Sequence, residues 1–267
     1  MAGGLNGRVA LVSGGGRGIG RAIVERLAGD GIDVAINYRR DEAAAIETVE
    51  TARGLGVRAE RYQADVSDLD ACRGLVEAVL RDFGNVDIRV NNAGIASRGQ
   101  SVADTDPREM ARVVHTHLFS AFYLCQLVLP SMRQQPRGDI IMISSSATQS
   151  LGANGAPYNM AKAALEALAK TLAKEERANG IRVNVVAPGL VETAMGVRLA
   201  HAVLGVQAIR DLDAGSPFGF VCQPEDIGNA VGFLCSEAGR YITHQVLYVD
   251  GGGFAGPANR ARAGGPA

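Results

Sequence analysis

Short apolar runs alternate with longer stretches in which apolar residues recur at helical spacing, and this rhythm holds along nearly the whole chain. The first run, Val9–Val12, enters SGGGRGIG, after which Ile19, Ile23, Val24 and Leu27 fall on one face. That unit reads as strand, glycine turn, helix. Further strands are predicted at residues 33–37, in a unit ending at Asp65-Val66, and at 86–90, 140–143, 181–186 and 245–249. Helix starts are predicted at Asp41-Glu42, at Ser67-Asp68-Leu69-Asp70 with capping-box spacing, at Thr105-Asp106-Pro107 with a helix to about Pro130, at Pro157 with a helix to about Asn179, and at Pro224-Glu225-Asp226. Strands alternating with amphipathic helices predict an α/β fold with a doubly wound parallel sheet and helices on both faces. Arg89 breaks the pattern, since strands of such a sheet are apolar on both sides, and the sequence offers no account of it.

Composition adds bounds. A chain of 267 residues, 47% hydrophobic, can bury a sizeable core and suits one domain, assigned here to residues 1–253, with a tail at 254–267 whose Gly/Pro/Ala/Arg content predicts disorder. A net charge of −1 gives no electrostatic reason to expect nucleic acid or a membrane surface as partner. Cys72, Cys125, Cys222 and Cys235 lack metal-ligand spacing and are expected to be reduced core thiols, so no metal and a cytoplasmic location are expected. MAGGLNGR lacks the apolar core of a signal peptide, and no uninterrupted apolar stretch approaches the length of a membrane span.

Two stretches carry candidate chemistry. Gly14, Gly18 and Gly20, between a buried strand and a helix, let backbone approach a pyrophosphate that the free amides of the helix start would meet. Where an NAD site usually carries an acid for the ribose, this chain reads Tyr38-Arg39-Arg40, and with Arg17 these guanidinium groups suit a 2′-phosphate; a solvated turn ahead of the next helix is the alternative. The second stretch is Ser145 to Lys162. Ser145 follows the 140–143 strand, and Tyr158 and Lys162 share a helix face, where a nearby ammonium is expected to lower the phenol's pKa towards neutrality and make Tyr158 a general acid/base. A solvated pair at a helix start is the bland reading of the same spacing.

Ser145, Tyr158 and Lys162, at steps of thirteen and four, resemble the catalytic set of the short-chain dehydrogenase/reductases, as do the glycine loop, Asn91-Asn92-Ala93-Gly94, Ala187-Pro188-Gly189 and the closing VDGGG. The resemblance spans about Val9 to Gly252. It implies a Rossmann-type sheet of seven strands, NADP(H) as cofactor, and interconversion of a ketone and a secondary alcohol. It further implies cofactor contacts at Ser13, Gly14, Arg17, Gly18, Ile19, Gly20, Tyr38, Arg39, Arg40, Asp65, Val66, Asn92, Ala93, Gly94, Pro188, Gly189 and Thr193, besides Tyr158 and Lys162.

The branch most similar is that of the 3-oxoacyl-carrier-protein reductases, which implies a small carbonyl or alcohol substrate, with an acyl carrier protein or CoA thioester as possible carriers and a dimer or tetramer as assembly. Arg133, Arg137 and Arg177 are nearby in sequence and could dock a carrier, but they do not fall cleanly on the family's positions, and a solvated helix end explains them as well. Residues 190–223 correspond to the lid; their apolar face fits either a hydrophobic substrate or packing on the core. One departure stands out: His117 occupies the place of a catalytic asparagine that holds a water linking the lysine to solvent. An imidazole titrating near ~6.5 would make that relay pH-sensitive; a packed residue that ends the relay, leaving a nucleotide-binding protein with impaired turnover, is the alternative.

Overall fold

A computed structural model describes residues 7–253; the predicted tail lies outside them. Seven strands form one parallel sheet in the order β3-β2-β1-β4-β5-β6-β7. The strands are β1 (Val9–Val12), β2 (Asp33–Tyr38), β3 (Ala59–Gln63), β4 (Ile88–Asn91), β5 (Gly138–Ile143), β6 (Ile181–Pro188) and β7 (Val246–Val249). The helices are α1 (Gly18–Gly29), α2 (Glu42–Gly54), α3 (Leu69–Phe83), α4 (Pro107–Val114), α5 (Ser120–Met132), the one-turn α6 (Ala147–Ser150), α7 (Ala156–Glu176), α8 (Ala194–Leu204) and α9 (Pro224–Cys235). One apolar cluster lies between the sheet and α3, α5 and α7, and a second between the sheet and α1, α2 and α9. This is the doubly wound arrangement expected.

Four details differ from the sequence reading. β3 stops at Gln63, because Asp65 turns the chain by accepting the Ser67 amide and hydroxyl. The cap of α3 is Asp68, which accepts the Ala71 amide, rather than Ser67. The helix expected from Pro107 onward is broken by a π-helical turn at His115–Phe119, although nothing in its composition marks the break. Finally, the span Pro107–Met132 is long and apolar enough by length and composition to cross a membrane, with a mean hydropathy of 1.3 in its best window. Leu124, Cys125 and Val128 of this span sit in the first core cluster, whereas Phe119 and Phe122 are exposed.

Arg89 now has an account. Its side chain is fully buried, and Nη1 donates to the carbonyls of Leu11 at 2.8 Å and Val90 at 2.7 Å, while Nε and Nη2 find no partner among the described residues. Burial lowers its pKa to about 10, so it stays charged at neutral pH. All four cysteines are unpaired, three of them buried.

Candidate active site

Parallel strands deliver their carboxyl ends to one edge, and the predicted site residues gather there. At the end of β1 the chain must turn tightly into α1, and Gly14 and Gly18 do so with φ of +63° and +54°, a region that favours glycine. A Cβ on Gly20 would lie 2.1 Å from the Gly14 carbonyl oxygen and 2.6 Å from Asn92 Nδ2, so this loop closes only without a side chain. Asn92 Nδ2 donates to the carbonyls of Ser13 (3.0 Å) and Gly14 (3.1 Å), and Ser13 Oγ accepts the amides of Asn92 and Ala93. The loop is thus fixed from β4. Asn37, which the sequence reading passed over, fixes it from β2: its carbonyl accepts the Gly15 amide, and its side-chain amide donates to the carbonyls of Tyr62 and Ala64.

This cradle fits a dinucleotide. α1 begins without a side-chain cap and without an acidic residue in its first turn, so its amides face outward free for a phosphate. At the end of β2, Arg39 and Arg40 are exposed beside exposed Arg17; Arg39 pairs with Asp65 at 2.8 Å and Arg17 with Asp41 at 3.5 Å. Burial opposes ionisation of Asp65, but hydrogen bonds from Ser67 and the charges of Arg39 and Arg40 win, and its pKa is lowered. Tyr38 and Val66 are buried, so neither side chain joins the exposed arginines, and Ile19 is half-buried against the second core cluster. Pro188 and Gly189 end β6 nearby, where Gly189 donates to the Val249 carbonyl. Thr193 caps α8 by accepting the Gly196 amide, and its methyl would lie 3.4 Å from a Cβ placed on Gly18. The start of the lid therefore sits over the glycine loop.

Ser145, Tyr158 and Lys162 meet at the end of β5. Ser145 and Tyr158 are half-buried and Lys162 is buried. Burial pushes the Tyr158 phenol above its ordinary pKa, while hydrogen bonding with Ser145 pulls the other way. The expected fall towards neutrality is therefore overturned: Lys162 Nζ donates to the Ile143 carbonyl at 2.7 Å and stands 5.6 Å from the Tyr158 ring centre, and desolvation dominates. Burial lowers the Lys162 pKa to about 7, opposed by Glu166.

His117 is brought into this group by the π-helical turn. Its ring meets Tyr158 edge-on, with centroids 5.3 Å apart. Nε2 lies 3.1 Å from the Ile95 amide nitrogen and 2.8 Å from the Ile95 carbonyl oxygen, and Nδ1 is buried without a partner. Burial, with the Lys162 charge, lowers its pKa to about 3. The expected titration near neutrality is thus corrected: the imidazole is neutral across the physiological range, because burial and a cationic neighbour both penalise its charged form. Gly94 makes room for it, since a Cβ there would lie 2.5 Å from His117 Cε1. His115 is exposed, away from this group.

Around the mouth, the lid has its own small core of Ala200, Ile209 and Val221, while Met195, Leu199, Leu204, Phe218 and Phe220 remain exposed. The candidate docking arginines lie elsewhere. Arg133 and Arg137 precede β5 and Arg177 follows α7, so all three are at the sheet edge opposite Ser145. Arg133 is paired with Glu176, and Arg137 with Asp139 and Glu237.

Residues 14–253 match the profile of a protein family described as enoyl-(acyl carrier protein) reductase. A 3-oxoacyl-[acyl-carrier-protein] reductase of Staphylococcus aureus is 37% identical over 247 residues, 91% of this chain and 96% of its own. The 3beta-hydroxysteroid dehydrogenase 1 of Eggerthella lenta is 36% identical over 254 residues, 93% of this chain and 94% of its own. The crystal structure of a short chain dehydrogenase from Burkholderia cenocepacia in complex with NADP superimposes with a TM-score of 0.83 at 33% identity, covering 92% of this chain and 98% of that one.

Proposed function

Because the chain belongs to the short-chain dehydrogenase/reductase family and is an oxidoreductase of that kind, we propose that it interconverts a ketone and a secondary alcohol with NADP(H), on a substrate with an apolar body. One observation carries this reading: Ser145 and Tyr158 place two hydroxyl donors beside buried Lys162 at the sheet edge that also holds the glycine cradle. Two donors converging on one point suit a single substrate oxygen rather than a carbon-carbon double bond. The nicotinamide, when bound, supplies or accepts the hydride. Tyr158, whose raised pKa keeps the phenol protonated, gives its proton to the carbonyl oxygen during reduction, and Ser145 orients that oxygen by a hydrogen bond. Lys162 would hold the ribose hydroxyls, and its positive charge would stabilise the phenolate left when the Tyr158 proton passes to the substrate oxygen. Exposed Arg17, Arg39 and Arg40 at the end of β2 and in the glycine loop offer guanidinium groups suited to a 2′-phosphate, which supports NADP(H) over NAD(H).

The exposed lid residues Met195, Leu199, Phe218 and Phe220 favour an apolar substrate such as an acyl or ring ketone. A carrier-borne thioester is the weaker choice, since Arg133, Arg137 and Arg177 face the opposite edge and the first two are already paired. A homo-oligomer belongs to the same reading: Phe119, Phe122 and Met160 leave apolar surface exposed on the outer side of the α5 and α7 region. The test is NADPH oxidation by the purified protein against a panel of ring ketones, 3-oxoacyl thioesters and short ketones. Turnover on the apolar ketones is expected; tight NADPH binding with no turnover on any of them would favour a binding protein disabled at His117.

A further inference from the structure

We propose that Glu166, which no spacing motif marks, is a positioning residue of this site: a buried carboxylate one helical turn beyond Lys162 that keeps the ammonium charged and holds the turn carrying Ser145. The proposal rests on the roles given above to Tyr158 and Lys162. Tyr158, Lys162 and Glu166 follow one another at steps of four along α7, so they stack on one face. Glu166 is 8% exposed, and a carboxylate in such a place needs partners. Its Oε1 accepts from Ser144 Oγ at 2.7 Å. Thr148 Oγ1 lies 2.9 Å from the same oxygen and 2.9 Å from the Ser145 carbonyl, so its proton serves either. Both partners flank Ser145 in the chain.

The hydrogen bonds alone do not explain the choice of residue. A glutamine would accept from Ser144 and Thr148 as well as a glutamate does, and would spare the cost of a buried charge. What the charge adds is its field at Lys162, which has no carboxylate within ion-pair distance among the described residues and whose ammonium is otherwise met only by the Ile143 carbonyl. The other groups facing this spot are Tyr158 on α7, neutral His117 from the π-helical turn, and the Tyr248 hydroxyl of β7, 3.4 Å from Thr148 Oγ1. None of them is a carboxylate. Glu166 is therefore the one group that counters the desolvation of Lys162, the charge on which cofactor ribose and phenol both depend.

The chain makes this directly measurable, because Lys162, Lys170 and Lys174 are its only lysines. Protein labelled with 13C at the lysine ε-carbon gives three side-chain signals, and Lys162→Met identifies the one that titrates near neutrality. In Glu166→Gln the midpoint of that signal is expected to fall by about one to two pH units, the effect of removing an opposite charge at the spacing of adjacent helical turns. Ser144→Ala, which removes a hydrogen bond and keeps the charge, should leave the midpoint in place. The rise of NADPH Kd with pH, read by cofactor fluorescence, should move down with the Lys162 midpoint. A Glu166→Gln protein with native circular dichroism and an unmoved Lys162 midpoint overturns the proposal. If Glu166→Gln does not fold, Glu166→Ala, which also removes the charge, takes its place, and an unmoved midpoint there overturns it equally. A shifted midpoint in a protein that binds no NADPH would instead sustain the charge coupling and overturn the functional reading on its own.

Discussion

The contact between Gly94 and His117 allows a worked perturbation. A methyl group placed on Gly94 would lie 2.5 Å from Cε1 and 3.1 Å from Nδ1 of His117, roughly an ångström inside ordinary contact. The imidazole cannot retreat freely, because Nε2 is held at 2.8 and 3.1 Å by the Ile95 backbone and the ring is wedged against Tyr158. Overpacking of this kind costs about 1–3 kcal/mol, and breaking the Ile95 contact in a buried site adds about 1–3 kcal/mol. Gly94→Ala should therefore lower stability by roughly 2–6 kcal/mol, read from urea denaturation without cofactor. In the His117→Asn background the atom that clashes is gone, and the same substitution should cost at least ~1 kcal/mol less, a coupling above the ~0.5 kcal/mol within which independent sites add. Additive costs in the double variant would refute the argument that Gly94 is a glycine on account of this imidazole.

Other outcomes follow from the same geometry. Tyr158→Phe keeps the ring against His117 and removes the proton, so kcat should fall by about 10²–10⁴-fold with NADPH Kd unchanged in a fluorescence titration; a loss confined to Kd would place the phenol in binding instead. Replacing Arg39 and Arg40 by alanine should weaken NADPH by tenfold or more, since hydrogen bonds to charged groups contribute about 1.5–3 kcal/mol each, and leave NADH nearly unchanged; equal weakening of both would remove these residues from the 2′ site. His117 carries a pH signature. Its folded pKa is about 3, below the ~6.5 of an unfolded chain, so the unfolded state binds the extra proton between those values and stability falls as pH drops through that window. At pH ~5.5 the loss from this one group is about 1.4 kcal/mol, and His117→Asn should abolish that share in acid-limb urea titrations.

Much of the fold could be read in advance because a parallel sheet buries its strands on both faces, leaving apolar runs such as 140–143 and 181–186 that no surface helix would carry. The glycine cradle and the Ser145, Tyr158, Lys162 spacing were legible for a related reason: backbone approach and a shared helix face each demand fixed residues at fixed steps. What escaped depends on contacts between elements. The π-helical turn at His115–Phe119 leaves no trace in a segment whose apolar pattern runs on unbroken, and the neutrality of His117 comes from burial that only packing decides. The phenol's raised pKa is hidden for the same reason, since spacing shows an ammonium nearby but not the water excluded around it. No motif marks Glu166 in the sequence, and only its place on the inward face of α7 distinguishes it. Arg89 was visible as an anomaly, and its explanation, two backbone carbonyls reached from within the core, involves no sequence neighbour except Val90.

The π-helical turn before Ser120 has a bearing on how the chain tolerates changes in length. A turn closed by i→i+5 bonds holds one residue more than an α-turn, so it stores a surplus residue inside a helix whose two halves already pack correctly. Removing one residue from this turn would restore continuous α-helix while leaving α4 and α5 in their present registers, whereas the same deletion elsewhere in the helix would rotate everything beyond it by about 100°. The fold has thus set aside one position in its longest apolar helix that can be lost without unpacking the core. That position is the one that delivers the imidazole, so here a shortened chain would keep its shape and surrender its chemistry.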